Sequence, residues 1–140
     1  MPLKLTLKPY EKVLIGNAVI ASGGSKAEIV VMNTVPVVRE RDVLTEEEAD
    51  TPAKRVYFII LSMYADPGTE TLYHKTYFRL IREFIDASRN EKVLDMIVNM
   101  SQKILSGNHY QALKICRKLI TYEERVLGIA KQMGEISPVG

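Results

Sequence analysis

Disulfides, metal centres and membrane spans are each argued against by what this 140-residue sequence lacks. Its single cysteine, Cys116, cannot close an internal bridge and reads as a core residue rather than a nucleophile. The two histidines, His74 and His109, are too far apart to suggest metal-ligand spacing. The longest apolar run, VYFIIL, is far too short to cross a bilayer. The start, MPLKLTLKPYEKVLIG, shows no charged leader followed by an apolar stretch, so a cytoplasmic protein without membrane contact is expected. An excess of one charge is also missing. Nineteen Lys plus Arg against seventeen Asp plus Glu leave +2, so any case for nucleic-acid binding must rest on local pattern. There is no glycine-rich phosphate loop, no Ser/His/Asp or Cys/His set at a known spacing, and no internal repeat. Paired carboxylates occur only as EEE and EE, which suit helix ends and solvated surface. No enzyme, catalytic residue, metal or cofactor is therefore predicted.

What is present is a 46% hydrophobic chain whose patterning changes character near residue 44. LKLTLK alternates, with Leu3, Leu5 and Leu7 on one face and Lys4, Thr6 and Lys8 on the other, as in a sheet wet on one side. KVLI and AVIAS flank Gly16-Asn17, and GGSK precedes AEIVVMN, so two hairpin turns are expected among three short strands. VPVVRERDVL supplies the fifth strand. Read at a period of two, it sets Arg39 and Arg41 on one face about 7 Å apart.

Helical signals then take over. Thr45 and Glu48 have capping-box spacing and predict a helix start, with Thr51-Pro52 either kinking that helix or opening a second one. Thr69 is expected to cap the next helix, with Tyr73, Tyr77, Leu80, Ile81, Phe84 and Ile85 inward. Leu94, Ile97, Ile104 and Leu105 mark a third, ended by Gly107. Asn108 starts the last, with Leu113, Cys116, Leu119, Ile120, Leu127 and Ala130 inward. The fold class expected is α+β: an antiparallel β unit over 1–44, a bundle of about four helices over 45–135, and a flexible tail over 136–140. Forty residues of short strands bury too little to stand alone, and the VYFIIL helix is expected to cover Leu3, Leu5 and Leu7.

Two sites are predicted. If the first and last strands are neighbours, Lys4, Thr6, Lys8, Arg39 and Arg41 form one basic face able to meet the phosphates and base edges of single-stranded RNA. The plainer reading is that these charges guard an edge strand against pairing with another chain. Val93, Met96 and Met100 widen the apolar side of the third helix, which is then either central in the bundle or a partner-binding groove. The stripes Lys75-Arg79-Arg82-Arg89 and Lys114-Lys118-Arg125 read as solvated faces.

LKLTLKPYEKVLIGNAVI, VVRERDVLTEEEADTPAKRVYF and MYADP, in this order, resemble the flagellar biosynthesis repressor FlbT family over nearly the whole chain. That resemblance implies a cytoplasmic post-transcriptional regulator. It would act on the 5′ untranslated region of flagellin mRNA, lower its translation and stability, and work with the flagellar regulator FlaF. The first forty-odd residues also look like the small RNA-binding carbon storage regulator CsrA, whose Arg-Glu pair Arg39-Glu40 matches. YEK stands where that family has Gly-Glu, and a far longer helical region follows. The alternative in another class is an adaptor or chaperone of flagellar export that holds flagellin or a co-regulator. A homo-oligomer is left open.

Overall fold

The computed structural model describes residues 2–136, with side chains through residue 128. In chain order it runs β1 (Leu3–Leu7), β2 (Lys12–Ile15), β3 (Ala18–Ala21), β4 (Ala27–Val31) and β5 (Val37–Arg39). A 3-10 turn at Glu40–Asp42 leads to α1 (Pro52–Ala65), α2 (Glu70–Ala87), α3 (Glu91–Leu105) and α4 (His109–Ile136). This is the expected α+β arrangement.

The strands are antiparallel but form two sheets, β1 with β4, and β2 between β3 and β5. Gly16, at φ 59°, supplies the positive dihedral that the two-residue β2–β3 turn needs. The second expected hairpin does not form, because β3 and β4 belong to different sheets. Ser22 explains the departure: its N–H donates to the carbonyl of Glu11 at 3.0 Å and its hydroxyl to that of Lys8, which pulls the GGSK segment across from one sheet to the other.

β2 shows why two sheets suffice. Val13 and Ile15 point towards β1 and β4 and meet Leu5, Leu7 and Val31, while Leu14 points the other way and joins Val38 against the helices. β2 and β5 therefore form a middle layer between two apolar cores, while β3 extends this sheet as an exposed edge. Leu5 and Leu7 are covered by this sheet rather than by the VYFIIL helix, and Leu3 stays 45% exposed. Helix α1 instead holds the far face. Its Tyr64 hydroxyl accepts from the Val37 N–H at 3.2 Å, and its Tyr57 hydroxyl donates to the Asp42 carbonyl at 2.6 Å. Asp42 also pairs with Arg117 of α4 at 3.2 Å.

Thr45 and Glu48 make both bonds of a capping box, at 3.3 and 3.1 Å, yet only a turn follows. Pro52 has no N–H to continue a helix through this region, so α1 restarts at Pro52 with Thr51 accepting from the Lys54 N–H. Thr69 occupies the position before α2, but its hydroxyl donates back to the Asp66 carbonyl instead of capping. Asn90 caps α3 through the Lys92 and Val93 N–H groups, and Gly107, at φ 81°, ends that helix.

The bundle core includes Ile60, Met63, Tyr77, Ile104, Leu113, Leu119 and Cys116, the last with its thiol pushed well above the ordinary range by burial. Val93 and Met100 belong to the same core and are fully buried, and Met96 packs partly buried against it. These positions face the bundle core, where α3 packs against α4. Ile85 and Leu105, near the ends of α2 and α3, and Leu127 within α4 are exposed rather than inward. The inward placement of Ala130 lies outside the described residues, as does the tail over 137–140. Residue 136, expected in the tail, continues α4.

Leu7→Ala, at a site 1% exposed, should cost about 2–5 kcal/mol. Because the middle sheet joins both cores, far-ultraviolet circular dichroism and a β-unit fluorescence label should report a single urea transition. Two separated transitions would show that the β unit folds on its own.

Candidate nucleic-acid interface

Arg39 does not lie beside Arg41 on a strand. β5 ends at Arg39, and the 3-10 turn that follows swings Arg41 into solvent, with its side chain 80% exposed and loosely paired to Asp42 at 3.9 Å. The guanidinium of Arg39 turns inward instead. Its Nη2 donates to the Thr6 carbonyl at 2.7 Å and to both oxygens of Glu11, at 3.2 and 3.1 Å. Glu11 also accepts from the Lys8 N–H at 2.9 Å. That backbone bond first, and then Arg39, holds the Glu11 carboxyl below its ordinary value. The two side chains are 28% and 15% exposed, so the pair is partly shielded from water.

β1 and β5 are therefore not hydrogen-bonded neighbours, and the single basic sheet face does not exist as drawn. Arg39 nonetheless bridges the two sheets, and an open cleft forms around that bridge. Thr6, Lys8, Arg39 and Arg41 line it, as do Tyr10 and Lys26. Lys4 lies apart, paired with Glu28 at 2.6 Å on the exposed face of β1 and β4. Both partners are more than half exposed, so this pair contributes little.

Sequence reading did not single out Tyr10 or Lys26. Tyr10 adopts φ 62°, a left-handed conformation uncommon outside glycine, and its N–H donates to the Gly23 carbonyl at 2.9 Å. A Cβ on Gly24 would come within 2.9 Å of the Tyr10 hydroxyl oxygen, so the second glycine of GGSK leaves room for the ring's edge. The backbone is pinned and the side chain is presented, 73% exposed, between Lys8 and the crossing loop. The available signal was an aromatic directly after Pro9 and between two lysines. Lys26 could be placed only once the path of GGSK between the sheets was known.

Chemically, the cleft offers three solvent-facing cations, Lys8, Lys26 and Arg41, beside one aromatic ring. Among the described residues Lys8 and Lys26 make no ion pair, and Glu11 is occupied by Arg39. Glu40 is the other carboxylate in the lining. Phosphates and a stacked base fit this arrangement. Of the helical stripes, Lys75, Arg79, Arg82, Arg89, Lys118 and Arg125 are also exposed, and Lys114 lies 4.9 Å over the Tyr110 ring. Among the described residues no three His, Cys, Asp or Glu side chains gather where they would hold a metal, and no helix is long and apolar enough to cross a membrane.

Arg39→Lys should lower the melting temperature despite conserving charge, since an ammonium cannot span Glu11 and the Thr6 carbonyl together. Because the folded carboxyl of Glu11 titrates below 4.5, its stabilisation is present above that pH and lost as pH falls through the folded value. Glu11→Gln should remove this part of the acid-side decline in a pH series of urea melts. Parallel wild-type and variant curves between pH 5 and about 3 would refute the clamp.

The model of the flagellar protein FlbT family matches residues 3–127. A probable flagellum biosynthesis repressor protein FlbT of Caulobacter sp. (strain K31) is 38% identical over 91% of this chain and 98% of its own. The protein of that description, FlbT 1, in Bradyrhizobium diazoefficiens is 43% identical over 91% of this chain and 86% of its own. The flagellum biosynthesis repressor protein FlbT of Caulobacter vibrioides (strain ATCC 19089 / CIP 103742 / CB 15) is 39% identical over 91% of both. No solved structure matches the chain. With a family model spanning nearly its whole length and relatives of this identity and coverage, the chain belongs to the FlbT family of flagellar proteins.

Proposed function

We propose that this protein is a cytoplasmic, non-enzymatic regulator of flagellin synthesis. In this reading it binds the 5′ untranslated region of flagellin mRNA and lowers the translation and stability of that message. Its relatives are named flagellum biosynthesis repressors, which supports a regulatory role in flagellar gene expression. The observation that carries the RNA reading is the exposed Tyr10 ring set among Lys8, Lys26 and Arg41 in one open cleft. A base stacks on the ring while the cations meet the flanking phosphates. Arg39 acts here as a positioning residue, since its guanidinium is engaged by Glu11 and Thr6. A FlaF-like regulator is the protein partner this reading implies.

The second reading, an adaptor that holds flagellin or a co-regulator, draws on the β unit. Val19 and Met32 are more than 70% exposed there, and β3 is an unguarded edge strand. Val93 and Met100 are unsuited to that role because they are buried.

Lys8→Glu, Lys26→Glu and Arg41→Glu together should weaken binding of a labelled flagellin leader RNA by tenfold or more while leaving the melting curve unchanged. The slope of log affinity against log salt should become shallower by roughly 2, from about 0.7 per lost phosphate contact. Tyr10→Ala should weaken binding with little change of slope, as loss of a stacked base requires. Unchanged affinity and slope in the triple variant, with flagellin still co-purifying, would favour the adaptor.

A further inference from the structure

A second concave site lies on the opposite half of the molecule, away from the basic cleft. It is a groove of about 610 Å³ between the C-terminal end of α2 and α4, over the start of α1. Its walls are apolar, with Pro52, Phe84, Ala87, Tyr122 and Val126 among them. Glu123 is set into this lining and is itself only 8% exposed.

The carboxylate of Glu123 is half used. Oε2 accepts from the Ala53 N–H at 2.9 Å, so the side chain caps α1 from a residue seventy positions away. Oε1 is buried and has no hydrogen-bond partner. A buried acceptor left unmade is costly, and a carboxylate oxygen can be satisfied only by a donor. Glu83 and Arg89 also line the groove with opposite charges that offset one another, so the preference for a positively charged donor rests on the open oxygen of Glu123. The volume falls in the range of small-molecule pockets, which set a few polar groups, here Glu123 with Glu83, Arg89 and Asn90, among apolar walls.

We infer that this groove is a binding site for a small organic ammonium ion, whose N–H donates to Glu123 Oε1 while its apolar body lies against Phe84, Tyr122 and Val126. Nothing in the RNA reading depends on it. The Ala53 amide, sharing the carboxylate with the ligand, is the natural reporter.

The test is a titration of the ¹⁵N-labelled full-length chain with 2-phenylethylammonium and, separately, with neutral 2-phenylethanol. The ammonium ion should shift the Ala53 amide saturably and bind at least about tenfold more tightly than the alcohol, as a charge-assisted bond implies. Glu123→Gln keeps a carbonyl for the Ala53 N–H but replaces the open acceptor with a donor, so it should erase the preference for the cation. Should that variant fail to fold, Ala87→Phe fills the groove without touching the cap and should block the ammonium ion. Equal binding of the two probes, a shift that persists in Ala87→Phe, or no saturable shift at Ala53 would each overturn the assignment. The last result would leave ordered water as the partner of Oε1.

Discussion

The contact on which the β unit depends is the reach of Arg39 from the end of β5 to the Thr6 carbonyl and the Glu11 carboxylate. No ladder hydrogen bond joins β1 to β5, so this guanidinium ties the end of β5 to β1, beside the apolar contact between the sheets and the bond from Ser22 to the Lys8 carbonyl. A planar fork with several donors can satisfy a carbonyl and a carboxylate together, which a point charge cannot. Once Glu11 is held, the turn from Lys8 to Glu11 is held with it, and Tyr10 is carried outward on a backbone that would otherwise resist its positive φ. The cleft is thus a consequence of the clamp.

The second constraint is that β2 and β5 of the middle sheet face apolar surface on both sides. Val13 and Val37 look towards β1 and β4, whereas Leu14 and Val38 look towards α1. Neighbouring residues on such short strands serve two different cores, so loosening either face is felt by the other. Tyr57, Tyr64 and Arg117 add polar contacts at the same junction, through Asp42 and Val37. The surface carrying Lys8 and Arg41 therefore draws its rigidity partly from helices that do not line it.

Much of this was legible in the sequence. Strict alternation marked β1, Gly16-Asn17 marked the β2–β3 hairpin, and the helical periodicity of the second half placed the four helices, with Gly107 ending α3. What could not be read locally were the long-range choices. The GGSK segment has hairpin chemistry, and only the bonds from Ser22 to Lys8 and Glu11 send it across to the other sheet. Arg39 and Arg41 share a face only while the chain stays extended, and the 3-10 turn after Arg39 ends that periodicity. The capping box at Thr45 forms, but the helix waits until Pro52, seven residues on, so of the two outcomes that Thr51-Pro52 offered the new helix start is the one taken. Glu123 looked like solvated charge because its partner, the Ala53 N–H, belongs to a different helix.

The central claim is that the solvent-facing residues around the Arg39 clamp, rather than Arg39 itself or the helical stripes, meet RNA. The most direct measurement is ultraviolet crosslinking of the full-length protein to flagellin leader RNA, followed by mass spectrometric location of the adducts. Adducts on Tyr10 and on the peptides bearing Lys8, Lys26 and Arg41 are the predicted result. Adducts confined to α2 and α4, or none at all under conditions where the protein is folded, would contradict the account.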